Sequence, residues 1–207
     1  MDPTFQFKEP TIIILNGHSS SAKTSTIDIL QRYSNAPIFH LSIDHFFLSL
    51  GPQYLGSKSA DGFSFKSYYK NDVETQEKLR TEIHYGPKAM IACKSLAPAL
   101  LYPYNNGLNV IVDDVIYYEE LMENYKSVLK NTRTYFIHIY CDAEVLTERE
   151  RYRFNRPLGL AIAQQELMLK QNLDYDLVIN NSSMNPEQVA REIMKYINTR
   201  EPRVMNN

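Results

Sequence analysis

The chain has 207 residues, of which 43% are hydrophobic and 22% charged, and its net charge at neutral pH is −2. That length suits one domain, because single cores grow to roughly 250 residues before chains divide, and the charge balance leaves no footprint for wrapping nucleic acid. No apolar run approaches the roughly 20 residues that span a bilayer, and the start, Met1-Asp2-Pro3-Thr4, lacks a signal-peptide pattern, so the expectation is a cytoplasmic protein without a membrane partner.

In chain order, a short apolar run alternates with a helical stretch. The strand candidates are residues 11–15, 37–43, 109–112, 134–140 and 175–179. Several are apolar at consecutive positions, as strands covered by helices on both faces require. Helices are predicted over 23–33, 75–100, 117–129, 143–171 with a break at Pro157-Leu158-Gly159, and 186–198. The last opens on Asn185-Pro186, an N-cap followed by proline at the first helical position. Alternation of this kind implies a parallel sheet in an α/β sandwich. Residues 49–72, rich in glycine, serine and aromatics, show no period and read as a long loop. Following the second strand, that loop belongs above the carboxyl end of the sheet, where ligands bind in open α/β folds. Cys93 and Cys141 lack the spacing of a metal pair and read as buried thiols in a reducing compartment.

The strongest chemical signal follows the first strand. Gly17-His18-Ser19-Ser20-Ser21-Ala22-Lys23-Thr24 nearly matches the phosphate-binding pattern G-x-x-x-x-G-K-[ST]. Successive backbone N–H groups from Gly17 to Ser25 form a nest for phosphate oxygens, and the helix N-terminus adds positive potential. Lys23 reaches the outer phosphates, and the Thr24 hydroxyl helps hold Mg²⁺. Ala22 stands where the pattern has glycine, and a positive φ there costs about 1–2 kcal/mol. His18 reads as a solvated position able to touch nucleotide.

Acidic residues close two strands. Asp44, ending the second, is placed to accept a proton from an attacking hydroxyl; its plainer role is a helix N-cap. Asp113 and Asp114 end the third, and side chains of neighbouring strand residues point to opposite faces. Asp113 is the one expected at the metal. His45, next to Asp44, is a candidate for the acceptor side, while His40 and His138 read as packing residues inside strands. Arg149, Arg153 and Arg156 share one helical face at i, i+4, i+7, either as a polyanion clamp in a lid over residues 149–160 or as a surface helix in which Glu150 pairs with Arg153 and Glu148 with Arg151.

Taken in order, Gly17-x-Ser19-Ser20-x-x-Lys23-Thr24, Leu41-Ser42-Ile43-Asp44-His45-Phe46, Val110-Ile111-Val112-Asp113-Asp114-Val115, Cys141-Asp142-x-Glu144-Val145-Leu146, the arginine stripe, Gln165 and Tyr175-Asp176-Leu177 resemble the chloramphenicol phosphotransferase-like proteins. Asn185-Pro186-Glu187-x-x-Ala190 extends the likeness to about residue 198. The resemblance implies a P-loop three-layer sandwich with a five-stranded parallel sheet, of the nucleoside-monophosphate-kinase type. It implies transfer of the γ-phosphate of ATP, with Mg²⁺, to a hydroxyl of a small molecule. It places the base on Asp44, the lid arginines on Arg153 and Arg156, and acceptor contacts in 49–72. The family's Gly-Asp-Arg lid motif reads Phe154-Asn155-Arg156 here. A nucleotide-binding regulatory module and a kinase with a macromolecular acceptor are the alternatives.

Overall fold

The computed structural model describes residues 5–56, 59–70, 78–152, 159–171 and 173–205, and of residues 69, 70 and 78–80 the backbone alone. The elements run β1 (Ile12–Asn16), α1 (Lys23–Tyr33), β2 (Ile38–Ser42), α2 (Ile43–Ser49), β3 (Phe63–Lys70), β4 (Lys78–Tyr85), α3 (Pro87–Asn105), β5 (Asn109–Asp114), α4 (Glu119–Leu129), β6 (Thr134–Tyr140), α5 (Ala143–Arg151), α6 (Leu160–Lys170), β7 (Leu177–Asn180) and α7 (Pro186–Thr199). A 3-10 turn, Pro52–Tyr54, follows α2. No helix among the described residues is long and apolar enough to cross a membrane.

Five strands form one parallel sheet in the order β2-β5-β1-β6-β7. β1 is central, and all five of its residues are buried. Its side chains alternate between two cores, as a period of two demands. Ile12 and Ile14 join Val110, Val112 and Phe136 beneath α3 and α4. Ile13 and Leu15 join Ile111, Ile137 and Ile139 beneath α1 and α7. Each such side chain contributes about 1.5–3 kcal/mol by leaving water, so a polar residue at any position from Ile12 to Leu15 would damage one layer or the other. The edge strand β2 is only partly buried. The N-cap expected at Asn185 of α7 is present, and it forms a full capping box: Asn185 accepts from the Gln188 amide at 2.9 Å, and Gln188 accepts in return at 2.8 Å.

Three expectations are corrected. The helix placed over 75–100 begins only at Pro87, and residues 78–85 are β4. Part of the loop placed over 49–72 is β3, paired antiparallel with β4 from Phe63↔Tyr85 to Lys70↔Lys78. Helix-favouring Glu77, Lys78, Leu79 and Arg80 drew the first reading, yet Leu79, Thr81, Ile83 and Tyr85 alternate with charged or polar neighbours, a period of two. Finally, β2 stops at Ser42, whose hydroxyl accepts from the Asp44 amide at 3.3 Å and starts α2. Asp44 therefore sits in the first turn of a helix, and its capping role falls to Ser42.

The C-terminal segment is tied to the sheet through Asp176. This buried carboxylate accepts from Phe136 N at 2.8 Å and from the amides of Arg203 and Val204 at 2.8 and 3.3 Å. Removing it orphans three N–H groups at once. Asp176→Ala is expected to lower unfolding free energy by about 2–4 kcal/mol, measured by urea denaturation, whereas Glu187→Ala on exposed α7 should stay within about 0.5 kcal/mol.

Candidate active site

The loop between β1 and α1 is polar in sequence but buried in fact: His18, Ser19, Ser20 and Ser21 all lie inside. Gly17 is required by close approach, since a Cβ there would stand 2.2 Å from the carbonyl oxygen of Ile139 in β6. Ser20 and Ala22 both adopt left-handed backbone, with φ of 62° and 63°. The sequence pattern flagged Ala22 for this and gave no warning of Ser20. The alanine is accommodated: its carbonyl accepts from Thr26 N at 3.0 Å and Thr26 Oγ1 at 2.9 Å, which starts α1.

Lys23 crosses the mouth of the loop. Its Nζ donates to the carbonyls of Gly17 at 2.6 Å and His18 at 3.0 Å and lies 3.5 Å from Asp113 Oδ1. Thr24 Oγ1 donates to Asp113 Oδ2 at 2.6 Å. Asp113, from the end of β5, thus meets both polar residues that begin α1. Asp114 points the other way, as strand geometry requires. It is buried against Tyr125, whose hydroxyl donates at 2.6 Å, and accepts from Val115 N at 2.7 Å. Burial pushes its carboxyl up to about 6, against the pull of those two bonds.

In front of the loop is a cleft of about 230 Å³. The loop residues from Ser19 to Thr24 form one side, and Asp44 and Asp113 stand at its rim. Phe47, Phe63 and Tyr85 form the opposite wall. Phe47 and Phe63 stack with centroids 4.7 Å apart and planes within 7°, and Tyr85 meets both edge-on. Phe63 and Tyr85 come from the β3–β4 hairpin, so the segment expected to supply acceptor contacts does reach the cleft, as a strand and not as a loop. His45 is exposed and does not line it. Ser25 is exposed on the second position past Lys23 and also lies off the cleft wall.

Amide side chains from other elements support the loop. Gln164 of α6, only 5% exposed, accepts from Ser19 N at 2.7 Å. Asn181, fully buried, donates to Ser21 O at 2.8 Å and is itself gripped by Arg149, at 3.1 Å to both its side-chain and backbone oxygens. Arg149 therefore braces the loop through Asn181. Neither amide carries a spacing signature; the shared run of Gln164 and Gln165 drew attention only to the second, which donates to Cys141 O at 2.9 Å. Glu150 is one of the residues that the sequence offers for a salt-bridged surface helix. It is buried and accepts from Gly159 N at 2.6 Å and Ala161 N at 2.9 Å, capping α6 from α5. Arg153 and Arg156 lie outside the described residues.

His18 also departs from expectation. Its ring is buried, with Nδ1 2.9 Å from Ser19 O and Nε2 accepting from Cys141 N at 3.4 Å. Burial, with Lys23 adding to it, pulls His18 down to about 4 despite the Ser19 contact. His138 is likewise pulled down to about 4, by burial first and then by Lys23.

Comparison with known proteins agrees with this fold. The family model "Chloramphenicol phosphotransferase-like protein" matches residues 10–198. The Mycobacterium tuberculosis protein "Putative O-phosphotransferase Rv2636" is 28% identical over 187 residues, covering 89% of this chain and 81% of its own. The fold is that of P-loop kinases. The tunicamycin resistance protein of Deinococcus radiodurans superposes with a TM-score of 0.62 at 15% identity, covering 94% of this chain and 99% of that one. The Mycobacterium tuberculosis APS kinase CysC, in complex with AMPPNP and APS, gives 0.61 at 12% identity, covering 92% and 99%.

Two outcomes are expected from the loop's chemistry. Ala22→Gly relieves about 1–2 kcal/mol of left-handed strain and gives back about 0.5–1 kcal/mol in chain entropy, so thermal unfolding should show a net gain below about 1.5 kcal/mol. As pH falls from 6.5 towards 4, His18 and His138 take up protons in the unfolded chain but not in the folded one, so stability falls through that window. Asp114 opposes this, because its raised value favours the folded state as pH drops below about 6. With two groups against one, denaturation midpoints should show a loss of about 2 kcal/mol between pH 7 and pH 5, reduced in His138→Gln.

Proposed function

The chain belongs to the chloramphenicol phosphotransferase-like family, and from that premise we propose that it is a kinase moving the γ-phosphate of ATP onto a hydroxyl group of a small molecule. The observation that carries this reading is the convergence of Lys23, Thr24 and Asp113 on the mouth of the loop, with Asp44 at the rim of the same cleft. Nucleotide binding alone does not call for a second carboxylate in the cleft that the aromatic residues line.

The chemistry assigns each group a task. The loop amides from Gly17 to Thr24 and the start of α1 hold the phosphate chain, and Lys23 neutralises its outer oxygens. Asp44 accepts the proton of the acceptor hydroxyl. The oxygen so exposed bonds to the γ-phosphorus, the bond from that phosphorus to its bridging oxygen breaks, and ADP leaves with the bridging oxygen. The Thr24 hydroxyl and the Asp113 carboxylate, 2.6 Å apart, are the hard oxygen pair that suits Mg²⁺. They would hold it, and it would supply charge neutralisation on the phosphates. The wall of Phe47, Phe63 and Tyr85 suits an acceptor with an apolar face beside its hydroxyl. Arg153 and Arg156 are proposed as lid cations, on the family likeness alone. The whole chain is read as one phosphotransferase domain.

Transfer of label from ATP, screened over antibiotics, nucleosides and sugars, tests the reading. Asp44→Asn is expected to lose at least about a hundredfold in turnover while ATP affinity, measured by calorimetry, stays within about threefold. Lys23→Ala should weaken both. Full turnover in Asp44→Asn would remove Asp44 as the base, and absence of ATP binding by the unaltered chain would remove the kinase reading itself.

A further inference from the structure

Gln164 is more than a brace. Its side chain comes from α6, lines the cleft beside the loop and is almost wholly enclosed. Its contact with the loop is Ser19 N to Oε1 at 2.7 Å. A backbone N–H can only donate, so the oxygen of the carboxamide must face Ser19. The orientation of the amide is thereby fixed by chemistry, and its NH₂ end points away from the loop backbone. No hydrogen bond from Nε2 is found among the described residues, and the side chain lines the cleft that holds Lys23, Thr24, Asp44 and Asp113.

The base of α6 is unusually well anchored. Glu150 takes the amides of Gly159 and Ala161, and Gln165 reaches back to Cys141 O. Gln164 therefore stands on an anchored element, with the oxygen of its amide spent on orientation and its side chain lining the cleft. Two loop hydroxyls nearby, Ser20 Oγ and Ser21 Oγ, are buried and have no hydrogen-bond partner among the described residues. This is the arrangement of a preorganised donor aimed at charge that develops during reaction.

We propose that Gln164 is a catalytic residue whose Nε2 donates to an oxygen of the γ-phosphoryl group, adding a neutral donor opposite the Lys23 cation. The inference rests on the kinase reading above and deepens it. It implies that Gln164 senses the third phosphate and is blind to the second, because the loop amides already surround the inner phosphates.

The test uses the complete chain and two probes, Mg²⁺·AMPPNP and Mg²⁺·ADP, with calorimetric affinities for each. Gln164→Glu keeps an oxygen for Ser19 N–H but replaces the donor by an anionic oxygen. Gln164→Met keeps the volume and removes both functions. A donor to the γ-phosphoryl predicts that Gln164→Glu lowers the ratio of AMPPNP to ADP affinity by at least about tenfold. Gln164→Met should lower the same ratio less, and turnover of ATP should fall in both variants. Thermal unfolding identifies any variant that has lost its fold, and the other then carries the test. An unchanged ratio in a folded Gln164→Glu variant overturns the proposal and leaves the kinase reading standing. Failure of the unaltered chain to bind either nucleotide overturns both.

Discussion

The molecule is organised around the burial of a polar loop. Four consecutive polar residues, from His18 to Ser21, lie inside the protein, and the backbone N–H and C=O groups of a buried loop need hydrogen-bond partners. Each stretch of the loop therefore recruits a partner from a different element. Lys23 of α1 takes the carbonyls of Gly17 and His18, Gln164 of α6 takes the Ser19 amide, and Asn181, just after β7, takes the Ser21 carbonyl. The sheet order puts β1 at the centre so that β6 can support Gly17 on one side and β5 can deliver Asp113 on the other. The site is thus a consequence of where the strands end.

The same topology separates two neighbouring carboxylates into unlike roles. Asp113 is only partly enclosed and meets an ammonium and a hydroxyl. Asp114, one residue on, is sealed beneath α4 with Tyr125. Its raised value is the physical mark of a carboxylate kept from water. A strand that ends in two acidic residues therefore offers one to the cleft and uses the other to hold a helix.

The parallel sheet and the phosphate loop were legible because both are written in local patterns: consecutive apolar residues in β1, β5 and β6, and Lys23-Thr24 after a strand. Strand alternation also required that Asp113 and Asp114 point to opposite faces. The β3–β4 hairpin was missed because good helix formers at 77–80 outweighed an alternation that begins beside them. Gln164, Asn181 and buried Glu150 were illegible for a different reason. Their partners are backbone groups 145, 160 and about 10 residues away along the chain, and no spacing within the sequence encodes a contact to a distant amide or carbonyl. His18 looked solvated because its neighbours are serines; it is buried because Cys141 and β6 pass beneath it.

Strain and support nearly balance in this loop, which explains how Ala22 is tolerated. Two left-handed residues without glycine, Ser20 and Ala22, cost about 2–4 kcal/mol together. The bonds that hold the loop in that shape number two from Lys23, one to Gln164 and one from Asn181, and at about 1 kcal/mol each they return about 4 kcal/mol. A loop held so evenly does not need glycine at Ala22 in order to keep its form. What presets the nest of N–H groups is the set of bonds from Lys23, Gln164 and Asn181, which hold the left-handed backbone against the preference of the alanine. Preorganisation of that kind lowers the cost of binding charge, so the departure from the usual loop pattern is compatible with a site built for phosphoryl transfer.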